Sequence, residues 1–124
     1  MSLDVYLVEK KDILYTCEIC GHQHPCTDSV VVYSANITHN LNQMADKAGI
    51  YNAIWRPDRI LAQIANDIIL PLQNGISELK QNPDYFKKFN ARNNWGTYDD
   101  FVPWVEAYLQ ACINNPNAYI QVNR

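Results

Sequence analysis

Leu61, Ala65, Ile68, Leu72, Ile76 and Leu79 are spaced by three and four residues, which is the repeat of one face of an α-helix. A helix with a single apolar stripe must bury it against another layer. The spacing predicts an amphipathic helix over 58–81. Pro71 falls inside it, where it removes a backbone hydrogen bond and crowds the preceding turn, so a kink or two abutting helices is expected there.

The partner layer is foreshadowed at the chain ends. Leu3, Val5 and Leu7 alternate with Asp4 and Tyr6 over residues 3–8, the period of a half-buried strand. After the polar break Glu9-Lys10-Lys11-Asp12, the run Ile13-Leu14-Tyr15-Thr16 reads as a second strand and Val30-Val31-Val32-Tyr33, within 28–35, as a third. Residues 118–122 alternate again as a closing strand. Between them, Ile37, Leu41, Met44, Ala45 and Ala48 predict a helix over 38–48 that Gly49 ends. A short turn follows at 50–55, and another at 83–89. Thr97 then caps a helix reaching about 113, with Asp99 and Asp100 complementing its dipole. The expected architecture is one α+β domain over 1–124, in the order βββαααβ, with helices covering one face of a small antiparallel sheet.

Composition sets limits on what such a domain does. Forty-eight per cent apolar and 19% charged residues describe an ordinary globular chain. A net charge of −3 argues against a broad nucleic-acid surface. No apolar run reaches the length that crosses a bilayer, so a cytoplasmic protein without a membrane partner is expected.

The densest chemistry is Cys17-Glu18-Ile19-Cys20-Gly21-His22-Gln23-His24-Pro25-Cys26, a Cys/His-rich hairpin tip at 17–26. Two thiolates three positions apart suit one tetrahedral ion, and His22, His24 and Cys26 supply further donors. Structural zinc held by Cys17, Cys20, Cys26 and one of His22 or His24 is one reading. A metal-free loop of reduced thiols is the other, and a redox disulfide fits poorly because no βαβ setting surrounds the motif. Cys112 lies on the apolar face of the last helix and reads as a core residue.

Three polar and aromatic clusters fall at element ends: Asn36, His39 and Asn40; Tyr51, Trp55 and Arg56; and the 93–98 segment with Trp95 and Tyr98. Folding can gather such ends into one concave site. A planar anionic, nucleotide-like ligand would stack on Trp55 or Trp95 and meet Arg56, with Asn36, His39 and Asn40 reading its polar edges. Each residue also has a plainer role. Asn36 serves as cap, the tryptophans as core, and Arg56 as a partner for Asp58. With only four glycines, the chain has no phosphate-cradling fingerprint.

From Asn36 onward the chain resembles a family of small proteins of unassigned function encoded by tailed phages and prophages. The resemblance rests on Asn36-Ile37-Thr38-His39-Asn40-Leu41, Met44-Ala45, Ala48-Gly49-Ile50-Tyr51 and Trp55-Arg56-Pro57. It continues through Pro71-Leu72, residues 86–90, Asn94-Trp95-Gly96-Thr97-Tyr98, residues 108–112 and Arg124, with a similar start at residues 2–5. The 17–26 cluster departs from that pattern. The resemblance implies a shared origin and fold and supplies no activity. The expected function is a phage accessory protein that binds a host protein or small ligand, with a second copy of the chain as a further candidate partner. A small hydrolase or transferase using His39 as base, and a zinc-stabilised protein-interaction module, are the alternatives.

Overall fold

The computed structural model describes residues 2–16, 21 and 23–124, with backbone alone for 11–16 and 24–28. Three strands, β1 (Ser2–Thr16), β2 (Gln23–Thr38) and β3 (Tyr119–Asn123), form an antiparallel sheet in the order β2-β1-β3. The first two expected strands are one. Glu9-Lys10-Lys11-Asp12 does not interrupt the ladder, because pairing is made by backbone groups and the register sets Lys11 opposite Asp28. The shift from the pair Leu7–Tyr33 to the pair Val8–Val31 leaves Val32 as an extra residue on β2, a bulge. Beyond Val8, β1 pairs with β2 alone, since β3 reaches only from Asp4 to Val8.

Between β2 and β3 the described chain is helical. A 3-10 turn at His39–Leu41 leads into α1 (Asn42–Lys47) and α2 (Tyr51–Trp55). A second 3-10 turn at Pro57–Ile60 precedes α3 (Asn66–Gln81), α4 (Pro83–Lys87) and α5 (Tyr98–Asn114). The stripe from Ile68 to Leu79 is buried as its spacing predicts. The helix begins later than expected, at Asn66, because Leu61 adopts a left-handed φ of 58° and is 87% exposed. Residues 63–65 instead run beside β3, with Ile120 N–H donating to Gln63 O at 2.9 Å and Ala65 N–H to Ala118 O at 2.8 Å. The Asp67 carboxylate accepts from the amides of Gln63 and Ile64, which holds its pKa below the ordinary carboxylate value. Continuous helix runs past Pro71.

Leu3, Val5 and Leu7 are fully buried in one cluster with Met44, Ile54, Ile68, Leu72, Phe101 and Tyr108. Helix α3 crosses close to the α1–α2 junction, where a Cβ on Gly75 would overlap the Ile50 side chain. Glycine at 75 is therefore a packing requirement.

Candidate binding site

The polar start at 36–41 is anchored at both ends. Asn36 pairs with Asp4 across the β1–β2 ladder, and its Nδ2 donates to Asp4 Oδ1 at 2.7 Å and Ser2 Oγ at 2.9 Å. Its carbonyl accepts the Trp104 indole N–H at 3.0 Å, tying α5 to the sheet. Thr38 caps the following turn, its Oγ1 accepting from Asn40 N–H.

The second wall is the loop before α5. It turns through left-handed residues at Asn94, with φ 59°, and Gly96, with φ 114°. Amide side chains replace missing secondary-structure bonds there. Asn93 Oδ1 accepts from Trp95 N–H at 3.0 Å, Asn90 Oδ1 from Tyr98 N–H at 2.7 Å, and Asn40 Nδ2 donates to Trp95 O at 2.9 Å. Gly96 packs so closely that a Cβ would lie 3.0 Å from Thr38 Cγ2 and 3.2 Å from Leu41 Cγ. The loop is thus fixed against the 36–41 segment, yet the Trp95 side chain stands outside at 69% exposure.

Between the walls lies a cavity of about 260 Å³. Asn36, Ile37, Thr38 and Leu41 line one side, and Asn94, Trp95, Gly96, Asp100 and Trp104 the other. That is smaller than the ~300–1,000 Å³ of most small-molecule sites and nearer the size of one large side chain. On the far side of the Asn40–Trp95 hydrogen bond, a shallower groove of about 670 Å³ runs over Asn40, Gln43, 88–93.

The expected site residues divide between two places. Asn36 and Trp95 line the cavity and Asn40 holds its rim, whereas His39, Tyr51 and Trp55 form a separate aromatic stack. Trp55 is only 2% exposed, with Tyr51 stacked on it at 5.6 Å, so its ring has no free face for a ligand. Trp55 Nε1 donates to His39 Nδ1 at 3.0 Å. An indole N–H only donates, so Nδ1 is the unprotonated nitrogen and Nε2 carries the proton of the neutral ring. While that bond stands, His39 has no lone pair with which to take a proton from a substrate. The bond holds the His39 and Trp55 rings against one another.

Arg56 does not line the cavity. Its Nε lies 3.9 Å from Asp58 Oδ1, a carboxylate also approached at 3.9 Å by Arg124, whose Nη1 donates to Trp55 O at 2.9 Å. Tyr98 turns toward α3, its hydroxyl donating to Leu79 O at 2.8 Å, while Lys87 Nζ sits over its ring. Seven lining residues, Ile37, Thr38, Leu41, Asn94, Gly96, Asp100 and Trp104, were not singled out as ligand contacts from sequence. Of these, Trp104 carried the best available signal, an aromatic next to a proline near the start of a helix, but its period marks it equally as core.

Cys17, Cys20 and His22, expected as metal ligands at the hairpin tip, lie outside the described residues. Backbone register places His24 opposite Tyr15 and Cys26 opposite Ile13 on β2. Among the described residues no group of three or more His, Cys, Asp or Glu is arranged to hold a metal, and no helix is long and apolar enough to cross a membrane. Comparison of the chain with family models, with curated proteins and with solved structures finds no match.

Proposed function

We propose that this chain is a binding protein, an accessory of phage or prophage origin acting in the bacterial cytoplasm, that engages a host protein or small ligand through the cavity between residues 36–41 and 94–96. The observation that carries the reading is Trp95. A large aromatic side chain is held in solvent on a loop whose backbone is already locked by Asn40, Asn93 and Gly96. Tryptophan is among the residue types that most often anchor an interface, and a preorganised one loses little entropy on binding. The test is a thermal-shift screen of nucleotides, metabolites and short peptides against the wild type and Trp95→Ala. A ligand held only by the folded state raises the melting temperature, and the shift should vanish in the variant. A shift that persists in Trp95→Ala places binding elsewhere.

Two further parts of the reading concern the sheet. The helices are taken to cover the Leu3, Val5 and Leu7 face, which is supported by the burial of those residues beside half-exposed Asp4 and Tyr6. Strand β2 is an outer strand of the sheet, residues 29–38 carry no charge, and Val31 is 55% exposed. An uncharged outer strand with exposed valines supports pairing with a second copy. Zinc at Cys17, Cys20, Cys26 and one of His22 or His24 is proposed as a structural ion of the hairpin tip. Metal analysis of reduced protein purified without added zinc tests it, with about one equivalent expected and none overturning it.

A further inference from the structure

Three of the ten Lys and Arg residues, Lys87, Lys88 and Arg92, fall within 85–98, which holds none of the thirteen acids. That segment therefore carries +3 in a chain of net −3, leaving −6 on everything else. Folding puts Lys88 and Arg92 on the groove beside the Trp95 cavity, among the amide side chains of Asn40, Gln43, Asn90 and Asn93. Both cations are exposed, and the groove lining contains no acid. The cavity has the opposite character. Its apolar walls are Ile37, Leu41, Trp95 and Trp104, Asn36, Thr38 and Asn94 add polar groups, and its one charged group is Asp100, which caps α5 together with Thr97.

We infer that the occupant of this surface is an acidic peptide segment of a partner protein, with one apolar side chain seated between Trp95 and Trp104 and its carboxylates lying along the groove at Lys88 and Arg92. The inference rests on the reading of the Trp95 cavity as the binding site and names what fills it. Cavity size limits the anchor to about one large side chain, while the amide ends not used inside the protein, Nδ2 of Asn90 and Asn93 and Oδ1 of Asn40, together with Gln43, can donate to and accept from an extended peptide backbone. Asp100 fixes the polarity, because it repels the acidic part from the cavity end. Arg92 offers a carboxylate a two-pronged partner, and Lys88 adds a point charge. A single-stranded nucleic acid fits less well. Three cations neutralise about three phosphates, a salt-sensitive and weak attachment on an otherwise acidic molecule.

The inference is tested by fluorescence anisotropy with labelled nine-residue peptides. Each carries a central Phe, Leu or Trp, followed by three acidic, three amide or three basic residues, with a twelve-residue oligothymidylate as competitor. Acidic peptides should bind roughly fivefold tighter than amide peptides, the worth of two exposed ion pairs. Lys88→Glu/Arg92→Glu should reverse the preference toward basic peptides, and Trp95→Ala should abolish binding of every set. These side chains are exposed, so circular dichroism should show all variants folded. If amide and acidic peptides bind equally and both need Trp95, the anchor stands and the acidic occupant is overturned. If Trp95→Ala binds as well as the wild type, the site itself is refuted. Absence of binding by any peptide, or oligothymidylate binding tighter than the acidic set through Lys88 and Arg92, likewise overturns the inference.

Discussion

The buried indole of Trp55 donates its N–H to Nδ1 of His39 at 3.0 Å, so the candidate base and a candidate stacking ring satisfy one another. Removing the acceptor leaves a buried donor without a partner. His39→Ala should therefore lower stability by about 1–3 kcal/mol in urea denaturation. Combined with Trp55→Phe, which removes the donor, its effect should be less than additive. A His39→Ala variant within about 0.5 kcal/mol of wild type would show that the bond contributes nothing.

Gly96 couples the loop to the 36–41 segment. Alanine there meets both a φ of 114° and a Thr38 methyl 3.0 Å away, so Gly96→Ala should cost about 1–3 kcal/mol. Amide hydrogen exchange should speed up locally at 93–97, and any ligand of the Trp95 cavity should weaken with it. Unchanged exchange in the loop would mean that the close approach is not what holds it.

Tyr108 and Cys112 share the core under Tyr33, whose ring stacks on Tyr108 at 5.9 Å. Burial pushes the Cys112 thiol from 9.0 up to about 12 and raises both phenols, with Cys112 and Tyr33 adding to the effect on Tyr108. An unfolded chain releases these protons at lower pH than the folded one. The contribution of this cluster is accordingly present below pH 9.0 and is lost as pH rises toward 12. The Tyr108 hydroxyl has no hydrogen-bond partner among the described residues. Tyr108→Phe should therefore melt at or above the wild-type temperature at pH 7 and fall less steeply in alkali. A markedly lower melting temperature at pH 7 would show that the hydroxyl is bonded.

The β2 edge makes a separate prediction. Trp104 covers the carbonyl of Asn36, whereas Val30 and Val31 farther along the same outer strand are exposed. Val31→Lys should shift sedimentation toward monomer, because a charge on an outer strand opposes edge-to-edge pairing. A wild type already monomeric at high concentration contradicts pairing through this strand.

Much of the architecture was legible in residue spacing. The alternation at Leu3, Val5 and Leu7, the Thr97 cap and the stripe from Ile68 to Leu79 each follow from local rules that tertiary packing did not overrule. Two readings failed because they depended on partners distant in sequence. Charged residues 9–12 look like a break until β2 lies beside them, and Leu61 looks like the first rung of a helix until residues 63–65 pair with β3. The site was legible only in part. Nothing local distinguishes Trp55 from Trp95, since burial of one and exposure of the other depend on whether the ring packs into the core between Tyr51 and His39 or stands on a loop held by Asn40. Thr38 and Gly96 were unreadable as cavity walls because their contact spans the length of the helical region.

The most direct test is an amide NMR titration of the labelled protein with a peptide selected from a random library, chosen without regard to charge. A binding surface centred on Trp95 requires the perturbed resonances to fall at 36–41, 88–97 and the Trp104 indole, with the same peptide giving none in Trp95→Ala. Perturbations confined to α3 or to the far edge of the sheet, unchanged by that substitution, would contradict it.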